Sequence, residues 1–203
     1  MKSQRELWDY EYSHNKNKWN KETIDLPRIL KNRRVLELGV GNGKTLRAIL
    51  KQKPSEVTAV YFSEKVIRIV RDNFREIKFY NCDVRELPFS NQDFDVVVCY
   101  YVLNNLGEND RLKVVKEMYR VLKKNGIILF EDFAIGDYRQ KGEEIEKNTV
   151  EHKNGIICHF FTEDEAKKLF SKFLIREIKI SERLPIKKDK SIKRRIISGK
   201  FIK

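Results

Sequence analysis

Residues 35–46, VLELGVGNGKTL, decide how this chain is read. An apolar strand carries an acid at Glu37, glycines follow at positions 39, 41 and 43, and a helical pattern begins at Lys44. Glycine at such a turn lets the backbone pass close beneath a flat ligand and enter a helix directly. A dinucleotide fingerprint would be G-x-G-x-x-G with an acid closing the second strand. Here residue 44 is Lys, and the end of the second strand holds Tyr61. Glu37, standing immediately ahead of the glycines, would repel a pyrophosphate and suits a cationic ligand.

Around that turn, apolar runs alternate with helical patterns. RRVLEL (33–38), VTAVYF (57–62), IKFYNC (77–82), FDVVVCY (94–100) and GIILFED (126–132) read as strands. Several are almost continuously apolar, as expected of a parallel sheet covered on both faces. KTLRAILKQ, SEKVIRIVRDNF and ENDRLKVVKEMYRVLKK carry apolar residues at helical spacing, with Ser63 placed to cap the second. Residues 133–158 turn polar and irregular. A Thr162…Glu165 capping box then opens FTEDEAKKLFSKF, and FLIREIKIS and RRIISGKFI close the chain as strands. The expected architecture is one α/β domain, doubly wound around a mostly parallel, seven-stranded Rossmann-like sheet. A helical extension over 1–32 and an insertion over 133–158 elaborate it.

At 203 residues the chain can bury one ordinary core without covalent staples. Cys82, Cys99 and Cys158 lack C-x-x-C spacing, read as reduced core thiols, and point to a reducing, cytoplasmic setting. No apolar leader or membrane-length run is readable, and no metal site is. Lys and Arg number 43 against 30 Asp and Glu, a net charge of +13 that favours a polyanionic partner such as nucleic acid. KKDKSIKRR (187–195) concentrates six basic residues around one acid. It reads either as a solvated hairpin or as a phosphate-contacting ridge.

The ordered series E-x-G-x-G-x-G, VYFSEKVI, CDVRELPFSNQDFDVVVCYYVL and YRVLKKNGIILFED resembles the class I S-adenosylmethionine-dependent methyltransferases over residues 33–132. S-adenosylmethionine carries a sulfonium and an ammonium and no phosphate, which agrees with Glu37. The resemblance implies that Glu37, Gly39, Gly41 and Gly43 line the methionine end of the cofactor. Tyr61 and Phe62 would border ribose and adenine, Asp83 would accept from the adenine amino group beside Cys82 and Val84, and Tyr100 would flank the sulfonium. Members of this fold usually place Asp or Glu at the position of Tyr61, where a carboxylate holds both ribose hydroxyls.

ELWDYEYSHNKNKW, LFEDFAIGDY, HFFTEDEAKKLF and RRIISGKFIK extend the likeness to the tRNA 3-methylcytidine methyltransferases. That family shows W-D-x-x-Y near the N-terminus, D-Y near a second Asp, F-F-T-D-D, and a basic strand ending in K-F. This chain departs from it at Glu131, where the family usually has Arg, and lacks its Phe-Phe-Lys-Asp-Arg element. Asp132 and Asp137 stand at matching positions, and since a carboxylate can accept from the exocyclic amine and favour the cation that methylation forms, they are the catalytic candidates. The resemblance implies Trp8 and Tyr12 as substrate contacts and tRNA or another RNA as substrate. The basic run adds Lys187, Lys188, Arg194 and Arg195 as phosphate contacts, His159 is a further candidate at the substrate, and an accessory protein is a candidate partner. A small-molecule or protein methyltransferase, and an RNA-binding domain without activity, stay open as alternatives.

Overall fold

The computed structural model describes residues 3–14, 24–183 and 194–203. Helix α1 (Gln4–His14) precedes strand β1 (Arg34–Leu38), helix α2 (Lys44–Leu50), β2 (Glu56–Tyr61), α3 (Glu64–Arg71), β3 (Lys78–Asn81) and β4 (Phe94–Tyr100). A short 3-10 turn (Leu103–Asn105), α4 (Glu108–Val121) and β5 (Leu122–Phe133) follow. After the insertion come α5 (Glu163–Leu169), a long strand Leu174–Arg183 and a final strand Arg194–Ile202. One seven-stranded sheet takes the order β3-β2-β1-β4-β5-final-long. β1 to β5 pair in parallel, and the final strand is antiparallel to both its neighbours.

Both faces of the sheet are buried, so the apolar runs need no polar alternation. Val35, Val96, Val98, Ile127 and Leu129 point to a layer roofed by α2 and α3 through Leu46, Ile49, Val66, Ile67 and Val70. Leu36, Leu38, Val97, Cys99, Ile128 and Phe130 point to the other, roofed by α4 and α5 through Val114, Met118, Ala166 and Phe170. Capping follows the sequence: Ser63 Oγ accepts from the Val66 amide at 3.2 Å and Thr162 Oγ1 from the Glu165 amide at 3.1 Å.

Two boundaries differ from expectation. The fourth helical pattern extends in sequence through LKK, but α4 stops at Val121 and β5 starts at Leu122 without a loop. The backbone turns extended at Leu122 (φ −71°, ψ 137°), and Arg120 in the last turn ties the helix end to the loop ahead of β4 by donating to the carbonyls of Leu87 and Phe89. The insertion, expected to be irregular, contains three short strands: β6 (Glu143–Glu146), β7 (Thr149–Glu151) and β8 (Ile157–His159). They form a second, antiparallel sheet on a small core of Val150, Cys158 and Phe160. With these inserted, the long and final strands of the main sheet are β9 and β10. Among the described residues, no helix is long and apolar enough to cross a membrane.

Candidate functional site

The carboxyl ends of β1, β2, β4 and β5 converge where the glycine turn leaves β1, the position at which a doubly wound sheet holds its ligands. Glu37 is 2% exposed, and Thr45 on α2 donates to its carboxyl group. Its Oε2 has no partner, and burial holds its proton affinity well above the usual carboxylate range. A buried acid with one orphaned oxygen beside an open backbone turn fits an ammonium ligand.

The glycines divide between ligand space and core. Gly41 has φ +50°, and a Cβ there would stand 2.6 Å from Tyr12 Oη. Gly43 has φ +76°, and its Cβ would strike the Phe74 ring at 2.5 Å. The first keeps the cradle open, while the second lets α2 pack on α3. Gly39 hydrogen-bonds through its amide to the Val60 carbonyl at 3.0 Å, joining the turn to β2.

At the end of β2, Tyr61 is 6% exposed, tilted on Phe62 and edge-on to Tyr12. Its ring is set edge-on to Tyr12 and its phenol is engaged with the Tyr12 hydroxyl, so it sits within the protein's own packing. Tyr12, partly buried and near Glu37, has its phenol pushed up to about 12, chiefly by desolvation. The sequence reading put Tyr12 at the substrate. The structure places it beside the Gly41 turn and Tyr61, with Trp8 packed on it at 5.7 Å. Helix α1 lies along the whole trough. Arg5 reaches over the Phe62 ring, Asp9 accepts from Ser63 Oγ, and Tyr12 reaches Gly41. Spacings of four and three residues put these three side chains on one helix face.

Beyond β3, Cys82 is half-buried, its thiol pushed up to about 11 by burial, and Val84 packs on the core beside it. Asp83 is held by Arg85, whose Nε and Nη2 donate to its two oxygens at 3.0 and 2.6 Å. Arg85 also donates to Asp110 at 2.5 Å. This clamp holds the Asp83 carboxyl below the usual range and fixes its orientation.

Strand register corrects the reading of the catalytic carboxylates. Glu37 pairs with Val98, Val98 with Leu129 and Tyr100 with Glu131, so Glu37, Tyr100 and Glu131 share one face of the sheet. Asp132, one residue on, projects to the other. It is fully buried, with Oδ2 accepting from the Asn104 amide and Oδ1 from the Phe133 amide, both at 3.0 Å. Asp137 is 3% exposed and is taken up by Arg139 and by the Arg195 amide at 2.7 Å. Neither carboxylate is presented to the cradle. Glu131 is, though bonded: the Tyr101 hydroxyl donates to Oε1 at 2.5 Å, and Arg183 pairs with Oε2.

The remaining substrate expectations fare differently. His159 is 1% exposed between Thr149 Oγ1 at 2.7 Å and Glu165 Oε1 at 2.8 Å, inside the insertion's packing and closed to a ligand. Arg194 is buried, and Arg195 donates from Nη1 to the Ile135 carbonyl, so both anchor β10 instead of forming an exposed ridge. Lys187 and Lys188 lie outside the described residues. Asp9, Arg85, Tyr101 and Glu131 were not read as site residues. Of these, Asp9 could have been found from its place in W-D-x-x-Y. Among the described residues, no group of three His, Cys, Asp or Glu could hold a metal.

Residues 35–126 match a family described as "Methyltransferase domain". The tRNA N(3)-methylcytidine methyltransferase of Schizosaccharomyces pombe is 27% identical over 92% of this chain and 69% of its own. An O-methyltransferase of Dictyostelium discoideum is also 27% identical, over 93% of this chain, which spans about half of that relative, 48% of its length. The fold matches that of the Burkholderia thailandensis 1,6-didemethyltoxoflavin N1-methyltransferase, solved with S-adenosylhomocysteine. There the TM-score is 0.76 at 19% identity, covering 98% of this chain and 86% of the other. With the ordered motifs of β1 to β5 and a buried acid facing the glycine turn, residues 35–126 match a methyltransferase domain, and the chain resembles the class I S-adenosylmethionine-dependent methyltransferases and, over most of its length, the tRNA 3-methylcytidine methyltransferases.

Proposed function

We propose that the protein transfers the methyl group of S-adenosylmethionine to a nucleobase nitrogen of tRNA, with cytidine N3 as the model acceptor. The observation that carries this reading is the N-terminal element. The likeness to the tRNA-modifying relative extends over 92% of this chain, and its W-D-x-x-Y stretch is the helix laid along the cofactor trough. The net charge of +13 supports a polyanionic substrate.

In this reading Glu37 holds the methionine ammonium, Gly41 leaves room for the methionine chain, Gly39 lets the turn pass against Val102, and Asp83, oriented by Arg85, accepts from the adenine amino group. Phe62, Cys82 and Val84 wall the adenine, and Tyr100 stands near the sulfonium. Bound S-adenosylmethionine supplies an electrophilic methyl. Cytosine N3 keeps a free lone pair, so the chain's own task is positioning: an in-line approach, a dry site and no base to remove a proton first. Methylation leaves the base cationic. The carboxylate facing that side of the sheet is Glu131, which takes the part first read for Asp132, accepting from the exocyclic amine. The target base must be unstacked to enter.

Incubation with methyl-labelled S-adenosylmethionine and total tRNA, followed by nucleoside identification, tests this. Labelled 3-methylcytidine is the expected product. Label appearing only in small molecules or proteins of a total extract would favour the other methyltransferase classes. RNA binding without any transfer would leave an inactive domain.

The glycines give a second expectation. Gly41→Leu should abolish binding of S-adenosylhomocysteine in calorimetry while the protein still folds, because the added side chain enters the cradle at Tyr12. Gly43→Ala should retain binding when folded but cost about 1–3 kcal/mol in denaturant melts, from left-handed backbone and overpacking on Phe74.

A further inference from the structure

The end of β2 poses a problem that the fold must solve elsewhere. A ribose diol needs an acceptor, and Tyr61 is at the strand end where it would be sought. Yet that phenol is engaged with Tyr12, whose ring it meets edge-on, and Tyr61 is 6% exposed. Phe62 has no polar side-chain atom, and Ser63 Oγ is committed twice, accepting from the Val66 amide at 3.2 Å and donating to Asp9.

The group that arrives at this spot is Asp9. Helix α1 brings its carboxylate to Ser63, two residues past the end of β2, with Oδ1 as the bonded oxygen. Among the described residues Oδ2 has no hydrogen-bond partner. The same carboxylate adds to the raised proton affinity of the Tyr61 phenol, after burial and Tyr12, as expected of a charge held at Ser63 near the end of β2. Its neighbours on the same helix face bracket the trough. Arg5 lies over Phe62 and is felt by Asp83, toward the adenine end, while Tyr12 lies at Gly41, toward the methionine end. Asp9 falls between them, where the sugar of a ligand spanning Glu37 to Asp83 must lie.

We propose that Asp9 is the ribose-binding carboxylate of this protein, supplied from outside the sheet by the N-terminal helix in place of a β2 acid. Ser63 orients one oxygen, and the other accepts from the ribose hydroxyls. Seating the cofactor and seating α1 are then one event, because the helix is tied down through the sugar as well as through Ser63 and Tyr61. The inference rests on cofactor use but not on the identity of the methyl acceptor.

Calorimetry with S-adenosylhomocysteine and with its 2′,3′-dideoxyribose analogue tests it in the absence of turnover. The wild type should prefer the intact ribose. Asp9→Asn should weaken S-adenosylhomocysteine by about 10- to 100-fold, the range expected for losing hydrogen bonds to a charged acceptor, and leave the dideoxy analogue nearly unchanged. Ser63→Ala removes the same internal hydrogen bond without the carboxylate and should keep most of the preference. Equal weakening of both ligands by Asp9→Asn would overturn the assignment, since Asp9 would then act only by seating α1. An Asp9→Asn protein that binds as the wild type would overturn it too. A wild type that binds neither ligand would remove the cofactor reading with it.

Discussion

Replacing Glu37 by glutamine should make the protein more stable at neutral pH and at the same time nearly unable to bind its cofactor. Glu37 is buried, its Oε2 is unpaired, and burial raises its proton affinity in the folded chain. The unfolded chain releases that proton near the ordinary value of 4.5. Above that pH the unfolded state therefore binds fewer protons than the folded one, and stability falls as pH rises until the folded group also ionises. Glutamine keeps the Thr45 hydrogen bond and carries no charge to desolvate. The gain should be small at about pH 4 and grow through the window above the ordinary carboxyl value, moving the unfolding temperature by about 2–4 °C for each kcal/mol recovered. Binding responds in the opposite sense. The ammonium loses its buried counter-charge, and a loss on the order of 100-fold is expected for S-adenosylhomocysteine. In the wild type, binding should release a proton wherever free Glu37 is still protonated, seen as buffer-dependent heats. A Glu37→Gln protein that melts lower than the wild type at mildly alkaline pH would mean that Glu37 is ionised and paired, contrary to its orphaned oxygen.

The fold was readable because each parallel strand is an apolar run and each crossover helix announces its face. What such strands conceal is parity. In a strand buried on both sides, VVVCY or GIILFED, no polar alternation marks which residues face which layer. That is why the sequence does not tell Asp132 from Glu131 at the end of GIILFED. The register Tyr100 to Glu131 puts Glu131 on the face shared with Glu37. The strands of the insertion were hidden for another reason. Glu143–Glu146 is nearly all acid and pairs through its backbone, and the insertion is held from outside by α1, where Gln4 donates to the Gly155 carbonyl at 2.8 Å. Likewise, W-D-x-x-Y is visible as a pattern. The contacts of Asp9 with Ser63 and of Tyr12 with Tyr61 join segments some fifty residues apart and belong to tertiary structure alone.

Asp132 is a buried acid with raised proton affinity, as Glu37 is, and its amide variant should behave in the opposite way. The difference lies in what each carboxyl accepts. Glu37 leaves an oxygen unpaired, whereas both Asp132 oxygens take backbone amides, Oδ2 from Asn104 and Oδ1 from Phe133. Those bonds fix the turn Leu103–Asn105 against the end of β5, in a region where Asn104 and Cys158 are also buried. Asparagine can accept through only one of its two terminal atoms. The other, an NH2, would face an amide donor, leaving two buried donors opposed and no water to serve them. Asp132→Asn should therefore cost about 1–3 kcal/mol, the penalty for a buried donor left unpaired and a sizeable part of the stability of an ordinary domain. The measurement that separates support from catalysis compares denaturant melts with cofactor affinity at a temperature where the variant remains folded. A destabilised protein that still binds S-adenosylhomocysteine normally is expected, because Asp132 faces the layer under α4 and α5 rather than the cradle. Wild-type stability combined with lost methyl transfer would return Asp132 to the reacting groups. The sheet register would then be wrong at the end of β5, and with it the placement of Glu131.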